Sequence, residues 1–197
     1  MKNFNLLKSV FDQYVDFEPD EWKSYRDLSV VRNFKKGDII TKAGEVENYL
    51  NFVTEGLGRV FVLSKEGKEY TIQFGFAGDF LSSYASFISQ TPSQTSLQAL
   101  SSLEMISIHK DNLEALYQKS KSGERMGRLS AEGLYIWKEH REIELLTKSA
   151  KERYLALLHK NPNLVLTISQ KHLASYLGVT PESFSRLKKE VVLDKSL

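Results

Sequence analysis

The chain has 197 residues, 41% of them hydrophobic, with 27 Lys and Arg against 25 Asp and Glu. Its apolar runs are a handful of residues long, far short of the roughly 20 that a membrane helix needs, and the polar opening Met1-Lys-Asn-Phe-Asn-Leu-Leu-Lys8 lacks a signal peptide's apolar core. Cysteine is absent, which excludes disulfides, thiol catalysis, thiolate zinc sites and Cys-ligated iron–sulfur clusters; a cytoplasmic protein of one large or two small domains is the economical expectation.

Helical patterns come first, around Leu6–Tyr14 and Pro19–Leu28. From about Phe34 to Ile108 the pattern is β. Glycines at positions 37, 44, 56, 58, 67, 75 and 78 punctuate short runs of β-branched and aromatic residues, such as Gly58-Arg-Val-Phe-Val-Leu63, Tyr70-Thr-Ile-Gln-Phe74 and Met105-Ile-Ser-Ile108. Gly37-Asp38 and Lys65-Glu-Gly-Lys68 read as turns. Many short strands at this spacing predict a sandwich or barrel. The four histidines, His109, His140, His159 and His172, offer no closely spaced pair, and none precedes residue 109. A metal-binding cupin barrel is therefore not expected, and no metal or cofactor is assigned.

After Lys110 the period becomes helical. Asn112–Lys119 is a short helix, and a long one starts near Ser122. Within it Met126, Leu129, Gly133, Ile136, His140, Ile143 and Thr147 alternate in steps of three and four, a heptad seam. Either this helix lies on the β-domain or its seam meets a second copy; three sustained heptads favour the dimer, with Leu134, Trp137, Leu145 and Leu146 turned to the β-domain. Ser149-Ala-Lys-Glu152 is a capping box that opens a helix over Ala150–His159, and Asn161-Pro-Asn163 ends it. The expected divisions are 1–121, 122–147 and 148–197. Charge is uneven across them: residues 148–197 hold nine Lys and Arg against four Asp and Glu, while the preceding 147 residues are net negative. A basic end on a mildly acidic body suits an anionic partner.

The most specific segment runs from Ser169 to Glu190. Leu173, Ala174 and Leu177 share one helical face, Gly178 supplies the turn, Thr180 is an N-cap and Pro181 fits the first helical position. Phe184 and Leu187 form the inner face of the second helix. This is a helix-turn-helix, set against the plainer alternative of an αα-hairpin with a solvated charged face. Glu182, Ser183, Arg186, Lys188 and Lys189 occupy the outer face, a set suited to base edges and phosphates.

From about Phe34 to Glu190 the chain resembles the cyclic-AMP receptor/FNR (Crp/Fnr) family of bacterial transcription regulators. The resemblance rests on Lys36-Gly-Asp38, Gly56, Lys65-Glu-Gly-Lys-Glu69, Gly78-Asp-Phe80, Arg128-Leu-Ser-Ala131 and Leu177-Gly-Val-Thr-Pro-Glu-Ser-Phe-Ser-Arg186. It implies an α+β fold: an N-terminal cyclic-nucleotide-binding-like β-roll (a jelly roll), a long dimerisation helix, and a C-terminal helix-turn-helix of winged-helix type. It also implies a homodimer on a two-fold symmetric double-stranded DNA site, with RNA polymerase as a further partner. Glu182 and Arg186 match the family's base-reading pair, whereas Pro181 stands where another Arg is common, so the preferred half-site should differ. The expected DNA contacts are Ser169, Gln170, Lys171, Thr180, Glu182, Ser183, Arg186, Lys188 and Lys189. The expected dimer contacts are Met126, Leu129, Gly133, Ile136, His140 and Ile143.

Three departures follow. Members that bind cyclic AMP carry Gly-Glu after Gly-Asp-Phe and an Arg-Ser/Thr pair for the phosphate; here those places fall at Ser82-Ser83 and about Ser93-Gln94. Losing that Arg removes a charge-assisted bond, so the usual nucleotide site is not expected to work. An unknown small-molecule effector, if one acts, would meet Gln73, Ser82, Ser83, Ser93 and Gln94, the alternative being that they line a loop or a vestigial pocket; Arg141 is either a replacement positive charge or a plain surface residue. The missing cysteines exclude an FNR-like cluster, and the isolated histidines argue against haem. Only Val191–Leu197 follow the second helix, so the wing is expected to be shortened or missing. A small-molecule-sensing β-roll whose helix-turn-helix serves protein contacts is the alternative function. An enzyme on a β-roll scaffold is not supported, for no nucleophile, carboxylate-pair or phosphate-loop motif is present.

Overall fold

A computed structural model of the chain describes residues 2–160 and 167–194. The chain divides into two compact units: Met1–Val62 with Ile72–Gly133, and Leu63–Thr71 with Leu134–Leu197. Helices α1 (Lys2–Phe11) and α2 (Pro19–Asp27) lead into strands β1 (Ser29–Phe34), β2 (Ile39–Thr41), β3 (Tyr49–Glu55), β4 (Leu57–Leu63) and β5 (Glu69–Phe76). A short helix α3 (Tyr84–Ser89), strands β6 (Ser96–Ala99) and β7 (Leu103–His109), helix α4 (Lys110–Lys119) and the long helix α5 (Lys121–Thr147) follow. The strands make two sheets, ordered β1-β7-β3 and β2-β6-β4-β5, with antiparallel pairing at β1/β7, β3/β7, β2/β6 and β4/β6.

Strand alternation decides what lies inside. On β7, Leu103 and Met105 point one way and Ile106 and Ile108 the other, as the two-residue period of a strand requires. The first pair joins Val53, Val60, Leu81, Leu97 and Ala99 in a core that draws on both sheets. The second pair, with Phe52, packs on Leu7, Phe11, Tyr25, Phe87, Leu113, Leu116 and Met126 from the helices. This is the two-sheet roll expected from the glycine-punctuated strands, with helices on one sheet. Gly56 is required at its turn: its φ is +90°, and a Cβ there would sit 2.0 Å from the Ser102 carbonyl oxygen. Strand β1 begins five residues before the expected strand region, because Val30 and Val31 sit beyond the first glycine marker. Helix α3 is also an element beyond the expected set.

The second unit holds the rest of α5, the tip of the β4–β5 hairpin, and helices α6 (Ala150–Lys160), α7 (Gln170–Leu177) and α8 (Pro181–Asp194). The expected capping box opens α6: Ser149 N–H donates to Glu152 Oε2 at 2.7 Å, and Glu152 N–H to Ser149 Oγ at 3.2 Å. The expected helix stop at Asn161-Pro-Asn163 lies outside the described residues. Helix α8 continues through Val191–Asp194, where a wing would otherwise begin; residues 195–197 lie outside the described residues. Leu145 and Leu146, expected to be covered, are exposed, Leu146 by 80%. Among the described residues no helix is long and apolar enough to cross a membrane.

Candidate nucleic-acid interface and effector pocket

Helices α7 and α8 are joined by a tight turn built from local signals. Ser169 caps α7 by accepting the His172 N–H at 3.3 Å. Gly178 ends it in the left-handed region at φ +71°, which a residue without a Cβ adopts at no steric cost. Thr180 then caps α8, its Oγ1 accepting the Ser183 N–H at 3.2 Å. Leu173, Ala174, Leu177 and Phe184 are fully buried, and the Phe184 ring meets Tyr154 of α6 edge-on at 5.1 Å. Lys151 Nζ of α6 reaches Glu190 Oε1 of α8 at 2.6 Å.

This packing leaves one polar face of α8 to solvent. Glu182, Arg186 and Lys189 are exposed on it, at helical steps of four and three, together with Ser185, which the sequence reading omitted. Ser183 and Lys188 were expected there and are instead half-buried: Ser183 is turned to its Thr180 cap, and Lys188 flanks the inner face beside Phe184 in the helical register. Its own backbone N–H, the Thr180 hydroxyl and Arg186 hold the Glu182 carboxyl below the usual range. Ser169, Gln170, Lys171 and Thr180 are exposed at the starts of α7 and α8. Backbone N–H groups and a lysine at a helix start are donors that suit phosphate.

Two arginines fix this unit. Arg153 of α6 donates to the Leu177 carbonyl at 2.8 Å, to that of Leu145 at 3.4 Å, and to that of Lys148. One guanidinium thereby serves the C-terminal carbonyls of α5 and α7, which lack partners within their own helices. Arg141 donates to the Tyr176 carbonyl and stacks 3.9 Å from the Tyr176 ring. Burial first, and then Arg153, lower its pKa, while Tyr176 and Glu144 oppose them. Arg141, expected either as a replacement positive charge or as a plain surface residue, is thus engaged at the end of α7. Arg153 carries no motif, so its role was not legible in the sequence.

In the first unit, the hydroxyl groups at the places that correspond to the family's nucleotide contacts are bonded to each other. Ser83 Oγ lies 2.6 Å from Ser93 Oγ and 2.9 Å from Thr95 Oγ1, and Ser93 Oγ donates to the Thr95 carbonyl at 2.7 Å. Ser82 Oγ accepts from the backbone and the side chain of Asn51, whose Oδ1 accepts from buried Ser107 at 2.6 Å. Gln73 Nε2 donates to the Phe80 carbonyl, and Gln94 is exposed. The structure thus joins Ser82 to Asn51 and Ser83 to Ser93, while Gln73 bonds to Phe80 and Gln94 is exposed.

Two buried polar residues of the first unit are absent from the sequence reading. Glu47 is fully buried; burial pushes its carboxyl up, opposed by Thr41, the Tyr49 and Ser83 backbone and Arg32. Arg59 of β4, also fully buried, donates through Nε and Nη2 to Gln98 Oε1 at 2.9 and 2.7 Å, and lies 4.1 Å from the Phe61 ring. A signal existed in both cases: an acid beside Gly44-Glu45 and an arginine inside an apolar strand. Calorimetry with cyclic AMP up to ~1 mM is expected to show no saturable heat, and a saturating curve would overturn this view of the hydroxyl cluster.

Residues 31–120 match the family model of the cyclic nucleotide-binding domain. Solved structures match over nearly the whole chain. FixK2 from Bradyrhizobium japonicum is 20% identical with a TM-score of 0.75, over 85% of this chain and 86% of that one. A protein assigned to the Crp/Fnr family of transcriptional regulators from Eubacterium rectale is 19% identical with a TM-score of 0.70, over 91% and 85%. The fold is that of the Crp/Fnr regulators. CLP from Xanthomonas campestris, a global regulator responsive to c-di-GMP, shares this Crp/Fnr-type fold at 18% identity and a TM-score of 0.68, over 90% and 93%. No curated protein matches the sequence.

Proposed function

We propose that the chain is a homodimeric, sequence-specific DNA-binding transcription regulator of the Crp/Fnr type that does not respond to cyclic AMP through the usual pocket. The observation that carries this reading is the solvent face of α8, where Glu182, Ser185, Arg186 and Lys189 stand on a helix held by a buried Phe184–Leu173–Leu177 core. Arg186 suits the paired acceptors of guanine and Glu182 a cytosine amine, while Lys189 and the start of α7 suit phosphates. Lys171, Ser169 and Gln170 would position the helix rather than read sequence.

Dimerisation is supported by α5. Met126 and Leu129 pack into the first unit's core, so the part of the seam left open is Gly133, Ile136, His140 and Ile143. A Cβ at Gly133 would meet nothing within 4 Å, yet glycine inside a helix costs about 1 kcal/mol relative to alanine. A second helix crossing closely at Gly133 accounts for it. The two copies would place their α8 helices in successive major grooves, with RNA polymerase as the downstream partner.

Selection of bound duplexes from a random library, with no nucleotide added, tests the reading. Enrichment of a two-fold symmetric sequence is expected; recovery of no sequence with or without cell extract would count against it. Arg186→Ala is expected to weaken binding by about 1–3 kcal/mol and to relax specificity at one base pair, whereas Lys189→Ala weakens all sequences alike and lowers the salt slope by about one. Equal, sequence-independent losses in both would remove Arg186 from base reading.

A further inference from the structure

The second unit contains a contact that a DNA-binding role does not use. Among the described strands β5 is the last of its sheet, so the outward N–H and C=O groups of its first residues face α7 rather than another described strand. Ser175, on α7, covers them with one hydroxyl. Its Oγ accepts the Thr71 N–H at 2.7 Å and donates to the Glu69 carbonyl at 2.9 Å, with Thr71 Oγ1 3.4 Å away. One helical turn earlier on the same face of α7, Lys171 Nζ lies 3.7 Å from Glu69 Oε2. Residues 63–71 and α7 belong to one compact unit, so the hairpin tip is part of the fold around the helix-turn-helix.

The placement of Lys171 gives this contact a consequence. Its side chain is 70% exposed, and it is one of the residues at the start of α7 that suit a DNA phosphate. While its ammonium faces Glu69, part of its charge is answered by a carboxylate. That carboxylate also stands beside the helix start, where it repels a phosphate. We propose that the β4–β5 hairpin tip is an autoinhibitory latch: Ser175 holds the edge of β5 against α7, and Glu69 competes with the DNA backbone for Lys171. Full phosphate contact at the start of α7 requires Glu69 to withdraw. Strands β4 and β5 run without a break into the first unit, where they carry Arg59 and Gln73. A change of twist in the roll therefore has a covalent route to the latch.

This inference rests on the DNA-binding reading, and the chain's lack of cysteine provides a clean test. In Thr71→Cys/Ser175→Cys the two thiols replace oxygens 3.4 Å apart, close enough for a disulfide after a small side-chain adjustment. Fluorescence anisotropy on the selected duplex, and on a random duplex if none is selected, compares the oxidised and reduced forms. The closed disulfide is expected to weaken binding by about tenfold, reversibly with reductant. Glu69→Gln and Ser175→Ala are each expected to tighten it about twofold to fivefold, as suits an exposed ion pair. Equal affinity in both redox forms with the bond demonstrably closed, or unchanged affinity in Glu69→Gln, would overturn the latch. Failure of the thiols to join under mild oxidant would overturn the contact itself. Absence of binding to any duplex by all variants, the released ones included, would instead take down the DNA-binding reading and the latch with it.

Discussion

Replacing Ile136 and Ile143 together with glutamate should turn the protein into a monomer and lower its affinity for a two-fold symmetric duplex by roughly a hundredfold or more. Ile136 is 52% exposed and Ile143 50% exposed. They lie seven residues apart on one face of α5, separated by His140 and preceded by Gly133. Among the described residues nothing buries them fully, whereas Leu134, Trp137, Arg141 and Glu144 on the other face are half-buried. Apolar side chains left this open in a long helix are stabilised only when a partner removes them from water, at about 25 cal/mol per Å². Two carboxylates per helix would place four like charges along a two-copy seam, a repulsion that no rearrangement of the helix relieves. Glutamate is a good helix former, so α5 itself should persist.

Sedimentation gives the oligomeric state and anisotropy the affinity. A half-sized species that still binds a single half-site weakly is the expected result. A persistent dimer would show that the copies meet elsewhere, for example at Tyr135 and Leu146, which are also exposed.

What could be read from the residues alone varied with how local the cause was. The frame of the helix-turn-helix was legible because each of its devices acts within four residues: the Ser169 and Thr180 caps, the Gly178 turn and the Leu173–Ala174–Leu177 face. The roll was legible as a class from its glycines. Its register was not, since β1 pairs with β7 from Ser29–Ile108 to Phe34–Leu103, far apart in sequence, and only the fold chooses that partner. The long helix illustrates the intermediate case. A heptad count treats Met126 and Ile136 as equals, yet Met126 is consumed by a core of Leu7, Phe11 and Leu116. Periodicity reports that a face is apolar and is silent on what covers it.

The engagement of Arg141 was not legible for a related reason: the carbonyl and ring of Tyr176 become its partners only once α7 ends beside it. Arg153 had no signal at all, because helix C-terminal carbonyls exist only once two helices end beside it. The hydroxyl cluster was half visible. Serine at the expected nucleotide positions was plain; that Ser83, Ser93 and Thr95 satisfy one another was not.

Phe184→Ala should cost the helix-turn-helix about 3–5 kcal/mol, the largest stability effect expected of any single change in the second unit. The ring is fully buried, on a helix that packs against both α6 and α7. Its edge-on contact with Tyr154 adds about 0.5–1.5 kcal/mol to the loss of buried area. Leu173, Leu177 and Val191 are buried as well, and the backbone turn through Gly178 and Val179 limits how far α8 can move to refill the space. Small domains hold only about 5–15 kcal/mol in all. A loss of this size should leave α7 and α8 substantially open near 37 °C. Hydrogen exchange should then show protection falling in α6, α7 and α8, and duplex binding should fail at 37 °C and return in part on cooling. Phe184→Leu, which keeps most of the volume, should cost less than about 1.5 kcal/mol and retain binding. If Phe184→Ala bound DNA normally at 37 °C with unchanged exchange in α8, the packing of Tyr154 and Phe184 would not be what holds the recognition face in place. The role of α8 would then have to rest on its caps and on the Lys151–Glu190 pair alone.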